Sequence, residues 1–470
     1  MTRRLLLVGV FALVVSVSTA PSADAAAPLA ITREGQRDMM LTIYNGNLGL
    51  VRDVREVRLP GGTTEVQFVD VAAQIDPTSV HLKSLSDPAG LKILEQNYEY
   101  DLLSSQKLLE KYLGRKVRLY QNAGSYIEAT LLSTDGPVYD IHGEIFMGHY
   151  GNVVLPALPE NLVSKPTLVW LLRNASAAPQ RIEASYLTGG ITWRADYVLV
   201  LNASDDRADL TGWVTIDNKS GATYRDAALK LVAGDVNRAR DELHAKSLDA
   251  SGGVAASTAA REFASESFFE YHLYTLDGRT TVKDKQTKQL SLLSAPGVTV
   301  RRELVYFGAQ EYYRSQLGTP ISHQKVSVLL ELQNAKPGLG IPLPKGKVRV
   351  YKADRGGSQQ LVGEDWIDHT PKDERVRVKL GNAFDVVGER VQRDWKRLGA
   401  NLYEVEWEVS LRNHKTEDVT VAVVEPVPGD WEVLRSSHTP EKVEAHTLRF
   451  AVPVPKEGAA KLTYRVRTRF

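Results

Sequence analysis

Apolar and polar residues alternate along most of this chain, the two-residue period of strands with one face buried. From Pro166 onward the alternation is sustained through Thr167–Leu172, Ala195–Leu201, Leu210–Ile216, Ala228–Val232 and Lys285–Leu293. It continues through Val326–Leu332, Lys347–Tyr351, Arg375–Leu380, Leu402–Leu411 and Thr447–Val452. Turn residues separate these stretches at the intervals of β-sandwiches. Residues 39–100 alternate as well, and Pro60-Gly61-Gly62, set between Val57–Leu59 and Glu65–Phe68, predicts a hairpin. The helical period shows clearly once, over Leu102–Leu113. There Leu102, Leu109, Tyr112 and Leu113 form an apolar stripe between an Asp101 N-cap and a C′ glycine at Gly114. Residues 115–156 hold short strands broken by Gly124, Gly136, Gly143, Gly148 and Gly151, the pattern of a small SH3-like barrel. Ala, Ser and Gly dominate residues 245–267, which read as a mobile loop.

The fold expected is mainly β: multi-domain antiparallel β-sandwiches of Ig-like type, with a small SH3-like barrel and one short helix in the N-terminal third. The partition expected is a leader at 1–25, a β domain at 26–100, helix and barrel at 101–160, a sandwich at 161–300 and a second at 301–470. A chain of 470 residues calls for two or three cores. The last sandwich carries charge at every second position, in Arg375, Arg377 and Lys379, in Glu404, Glu406 and Glu408, and in Arg465, Arg467 and Arg469. Each set shares a strand face, with Val376, Val378, Val405 and Trp407 turned inward, so acid–base pairing across strands on a solvated face is expected.

The N-terminus adds an address. Arg3 and Arg4 precede the apolar run Leu5–Ala20, and Ala23-Asp24-Ala25 offers a small-residue cleavage site before Ala26. The reading is a cleavable signal peptide and a periplasmic or secreted protein; an uncleaved anchor is the rival. Removing residues 1–25, which hold two Arg and one Asp, takes 58 basic and 57 acidic side chains to 56 of each. A neutral chain lacks the cationic surplus that displaces counterions from nucleic acid, so none is expected as a partner. With no cysteine there is no disulfide, no thiol nucleophile and no lipid attachment at a cysteine.

Catalytic patterns were sought and fail. The ten histidines include no pair at metal-ligand spacing, with His142 and His149 seven apart, so no metal is expected. There is no G-x-S-x-G elbow, and the S-x-x-K matches at Ser104–Lys107 and Ser322–Lys325 lack companion motifs. Gly340–Lys347 has the wrong spacing and two prolines for a phosphate loop, and is better read as a turn before a strand. Asp205, Asp206 and Asp209 lack the glycine and final Glu of a calcium loop and suit a hairpin turn. Glu95, Glu99 and Asp101 are sequence neighbours facing solvent rather than a glycosidase pair. Trp170, Trp193, Trp213 and Trp407 sit in apolar strand patterns and are expected in the core. No cofactor is implied.

Several stretches carry a family likeness. They are Tyr186-Leu-Thr-Gly-Gly-Ile-Thr-Trp193-Arg-Ala-Asp196-Tyr197, Asn218-Lys-Ser-Gly221-Ala-Thr-Tyr224, Leu231-Val-Ala-Gly234-Asp235, Phe269-Glu-Tyr271-His-Leu-Tyr274, Leu343-Pro-Lys-Gly346-Lys-Val-Arg-Val-Tyr351 and His369-Thr-Pro371-Lys372. Through them the chain from about residue 166 to its end resembles the bacterial family described as domain of unknown function 4139, and residues 40–165 resemble the part often found before it. The resemblance implies an exported, sandwich-rich protein without an established activity, and it supplies no catalytic residues. Gly221 and Gly234 suit turns of positive φ, and Trp193 and Tyr197 suit an inward-facing strand. The most polar stretch supplies the candidate binding residues His369, Thr370 and Lys372, which also fit a plain turn. The function expected is a non-catalytic assembly or binding module of the envelope, with another envelope protein or a glycan as partner; peripheral membrane association is compatible with it. The alternatives are a hydrolase with a site assembled from distant residues and an outer-membrane barrel component. The second draws on the alternation of Leu462, Tyr464, Val466, Thr468 and Phe470.

Overall fold

The computed structural model describes residues 29–99, 105–122, 125–157, 165–234, 236–237, 263–318, 320–322, 324–336 and 338–470. Among them are 29 strands, one α-helix (Ser105–Lys111) and three short 3-10 segments, so the protein is mainly β. All ten stretches that alternate beyond Pro166 lie in strands, though Lys285 itself is a turn residue of positive φ just before Gln286–Phe307.

The strands form sheets of four, five, seven and thirteen strands. The seven-stranded sheet runs, in spatial order, Phe263–Phe268, Tyr271–Val282, Tyr224–Ala233, Gln36–Tyr44, Leu48–Arg58, Pro179–Thr188 and His81–Ser84. Strands from residues 36–58 therefore sit between strands from beyond residue 165. The segments 26–100 and 161–300, distinct in sequence, share this sheet and one hydrophobic core. Four strand pairs are parallel, among them Tyr224–Ala233 with Gln36–Tyr44 and Ile191–Leu201 with Gly346–Ala353. That departs from the purely antiparallel expectation, because these partners are joined by long excursions and not by tight turns.

Pro60-Gly61-Gly62 does not close a hairpin. Leu48–Arg58 belongs to the seven-stranded sheet, whereas Gly62–Val69 pairs with Leu29–Ile31 and Thr167–Asn174 in the four-stranded one. The turn carries the chain from one layer to the other, so that Val51 on one side and Val66 and Phe68 on the other enter a common core. Arg55 spans the gap. Its side chain is fully buried; Nη1 donates to the carbonyls of Ile31 (2.7 Å) and Val69 (2.9 Å), and Nε and Nη2 donate to Asp53. The guanidinium lies 3.7 Å from the Phe68 ring centroid.

The five-stranded sheet is the small unit, with Glu144–Met147 and Asn152–Val154 as its edges, unpaired with each other among the described residues. Its core is Tyr112, Val117, Leu119, Ala129, Leu131 and Tyr139. The described helix ends at Lys111, before the expected end at Leu113; Leu109 and Tyr112 pack on that core while Leu113 is 52% exposed. Asp101 and Leu102 lie outside the described residues. The loop expected at 245–267 lies outside them as far as residue 262; Phe263–Phe268 is a strand, held in register by Tyr271–Leu276.

Two larger cores remain. Three strands serve both: Gln286–Phe307 gives Leu292 and Leu293 to the first and Leu304 and Tyr306 to the second. Lys325–Gln333 and Arg375–Arg397 are likewise divided. Trp170, Trp193 and Trp407 are buried as expected, and Trp213 is half-buried. The final strand, Gly458–Arg469, turns Leu462, Tyr464 and Val466 into the second core, where Tyr464 lies 5.1 Å from Phe450. Its alternation is thus met by a protein interior.

Inside that second core is a fully buried ion pair, Arg390 Nη1 to Glu425 Oε2 at 2.9 Å. The guanidinium faces the rings of Tyr306, Tyr312 and Trp407 at 5.0–5.6 Å and donates to the Phe307 carbonyl. Tyr313 donates to the same carboxylate and meets the Tyr464 hydroxyl. A side chain at Gly308 would place its Cβ 1.8 Å from Glu425 Oε2, so only glycine leaves room for the pair. Burial works against the arginine's charge, but Glu425 more than offsets it and the proton is held more tightly than on an ordinary arginine. On the opposite face the expected ladder forms, Glu404 opposite Arg467 and Glu406 opposite Arg465, with Arg467 Nε 2.9 Å from Glu404.

Two outcomes follow. Glu425→Ala strands a buried cation and should cost about 3–5 kcal/mol in urea unfolding, while Arg390→Met combined with Glu425→Leu should lose much less. Hydrogen bonds from Arg467 hold the Glu404 carboxyl below its ordinary value, and those from Arg393 and Lys461 do the same for Glu408. A lowered folded-state value stabilises above the ordinary glutamate value of 4.5 and is lost as pH falls through the folded value. The stability gap between the wild type and Arg467→Gln should therefore be open at about pH 7 and close at about pH 2.

Candidate functional site

A cleft of about 340 Å³ opens beside the edge of the seven-stranded sheet, lined by Phe263, Ser267, His272, Tyr274, Leu292, Ile341 and Pro342. One wall is the hairpin of the two outermost strands. Phe263 is paired with Leu276 and Ser267 with His272, so the two-residue period places Phe263, Ser267, His272 and Tyr274 on a single face. Tyr274 is buried, lies edge-on to Trp193 at 6.2 Å and donates through its hydroxyl to the Pro342 carbonyl at 3.1 Å. Trp193 donates in turn to the Val232 carbonyl. Gly234, at φ +136°, passes under the Tyr271 ring, where a Cβ would come within 2.4 Å of it; Gly221 also has the expected positive φ. The Nδ1 atom of His272 is buried without a hydrogen-bond partner.

The other wall is the turn around residues 334–345. Asn334 is fully buried, and its amide donates to the carbonyls of Ile341 (2.7 Å) and Pro371 (2.8 Å) while its oxygen accepts from Gly340 N. Tyr197 donates to the Pro344 carbonyl at 2.8 Å, and burial pushes that phenol well above its ordinary value, so it stays a donor. Leu343 and Thr370 exchange backbone hydrogen bonds at 2.9 Å in both directions, and Lys345 N donates to His369 Nδ1 at 3.1 Å.

His369 and Thr370 thus stand behind the cleft wall and hold it, while Lys372 is an exposed residue of the turn before Arg375. None of the three lines the cleft. The lining residues went unremarked as a site because they come from four separated segments. Two signals did point there: the Phe269–Tyr274 and Leu343–Tyr351 stretches flank both walls, and Gly340–Lys347 is the turn it was read to be.

Chemically the cleft offers aromatic and aliphatic surface, the imidazole of His272 and two hydroxyls, of which Tyr274's already donates to Pro342. No carboxylate lines it, and among the described residues no three potential metal ligands gather anywhere. The other sequence candidates have structural roles or lie open to solvent. Asp205 and Asp206 form the hairpin turn, where Asp205 binds Arg302 and Lys352; Glu95 sits on an outward-facing strand. Among the described residues no helix is long and apolar enough to cross a membrane.

Residues 182–470 match the model of a family described as domain of unknown function (DUF4139), a span that takes in every residue lining the cleft. No curated protein matches the chain.

Asn334→Ala removes all three of these hydrogen bonds, at a cost of about 1–3 kcal/mol. Hydrogen exchange should rise at residues 339–345 and stay unchanged in the small five-stranded unit.

Proposed function

We propose that this chain, which belongs to the DUF4139 family, is an exported envelope protein that acts by binding another envelope protein or a glycan, not by catalysis. The observation that carries this reading is the cleft itself, with aromatic walls, a polar nitrogen of His272 left unpartnered and a turn clamped at three carbonyls. Apolar walls with a few fixed polar groups are what a binding site offers its ligand. A hydrolytic use of Ser267 and His272 would need an acid to orient the imidazole, and the nitrogen that such an acid would hold has no partner. The leader-like residues 1–25, with a cleavage site before Ala26, support export to the periplasm or beyond. The neutral charge of the remainder gives no pull toward nucleic acid.

A photo-crosslinking residue placed at Phe263 or Ile341 of the full chain tests the reading in intact envelopes, with Phe384, 94% exposed on another strand, as control. Crosslinks to a discrete partner from the cleft positions and not from Phe384 are expected. A small-molecule product that forms with the wild type and disappears with Ser267→Ala would replace binding by catalysis.

A further inference from the structure

Phe263–Phe268 is the outermost strand of its sheet, and no described strand pairs along its free side. Its exposed row of backbone N–H and C=O groups is a template for another strand. Edges of this kind are ordinarily blunted by lysine, proline or a bulge, and this one has none of them in its register with Tyr271–Leu276. Instead it ends in Phe268, 58% exposed, and Phe269, 84% exposed. Phe269 also has φ +57°, a conformation that a bulky residue adopts only at a cost. A large apolar ring held out at a strained turn gains nothing from the protein's own interior. Beyond its tilted contact with the Tyr271 ring at 6.5 Å, it gains only when something covers it.

Charge selects what covers it. From Phe263 to Leu276 the hairpin holds Glu266 and Glu270, both exposed and neither in an ion pair among the described residues, and it holds no Lys or Arg. A second copy would bring these carboxylates against their like, and an anionic glycan would be repelled in the same way. A segment carrying Lys or Arg would be attracted.

We propose that strand Phe263–Phe268 is a docking edge that takes up an extended, basic segment of a partner polypeptide as an added strand, with one apolar side chain of that segment seated in the adjoining cleft. This rests on the binding reading above and narrows its partner to a polypeptide. Backbone hydrogen bonds supply the affinity, and alternate side chains supply the selectivity. In an added strand every second residue points to the same face as Phe263 and Ser267, toward the cleft and His272. The residues between point to the face of Glu266, where positive charge is wanted.

Fluorescence polarisation on the full chain tests it with three labelled heptapeptides: alternating Lys and Val, alternating Glu and Val, and the Lys peptide with alternate backbone amides methylated. The Lys peptide should bind and weaken as salt rises. Methylation should abolish the signal, because an added strand must donate its amides. Glu266→Lys with Glu270→Lys, both at exposed positions, should lower affinity for the Lys peptide at least tenfold and raise it for the Glu peptide. Phe268→Ser with Phe269→Ser should weaken binding as well, with an unchanged unfolding midpoint, while Phe384→Ser should leave it as it was. Equal binding of methylated and unmethylated peptides, or indifference to the charge reversal, would overturn strand addition. Chitohexaose is the fourth probe, read by displacement and by calorimetry. If it occupies the cleft and the peptides do not bind, the polypeptide proposal falls and the binding reading stands; if no probe binds, both fall.

Discussion

Two buried guanidinium groups set the terms on which this protein holds its layers together. Without cysteine, no covalent staple can fix one sheet against another, and the hydrophobic attraction between them is non-directional. Arg55 removes that freedom in the first core by donating to main-chain carbonyls of the neighbouring four-stranded sheet, at Ile31 and Val69. Arg390 ties separate strands together inside the second core, donating to the Phe307 carbonyl and pairing with Glu425. A buried ion pair adds little net stability relative to apolar residues of the same shape, but a misaligned one is severely penalised. These residues therefore act chiefly on alignment, and the room left at Gly308 shows how closely the backbone is fitted around one of them.

The part of the fold legible in the sequence was the part governed by local period. Alternation located the strands beyond Pro166, and the charge sets at 404–408 and 465–469 were correctly read as neighbours on a wet face because their spacing alone fixes the side they occupy. Pairing was another matter. Pro60-Gly61-Gly62 has the composition of a hairpin turn, yet whether the chain folds back in the same sheet or crosses to the next depends on which core the following apolar row fills. Nothing local records that. The same holds for Gln36–Tyr44 lying beside Tyr224–Ala233, a contact between segments nearly two hundred residues apart in sequence.

The site was legible only in outline. His369 and Thr370 stood out as the polar members of a family-like stretch, and they do lie close to the cleft, but as the brace behind Leu343 and Lys345. What lines the cleft is less conspicuous: Phe263 and Ser267 at the end of an Ala/Ser-rich stretch, a tyrosine, a leucine and an Ile-Pro dipeptide. Their significance arises from being brought together. The buried amide of Asn334, which no motif singled out, does most to shape the turn that supplies Ile341 and Pro342.

The long strand Gln286–Phe307 serves two cores, with its ladder register shifting near Gly297, which has positive φ. With Lys325–Gln333 and Arg375–Arg397 it joins the two cores through paired strands in place of a single connecting loop. A load arriving at one core passes along these paired strands into the other, and neither half can shear away while these ladders stay zipped. Should the molecule serve between two bodies under tension, it would behave as a rigid strut.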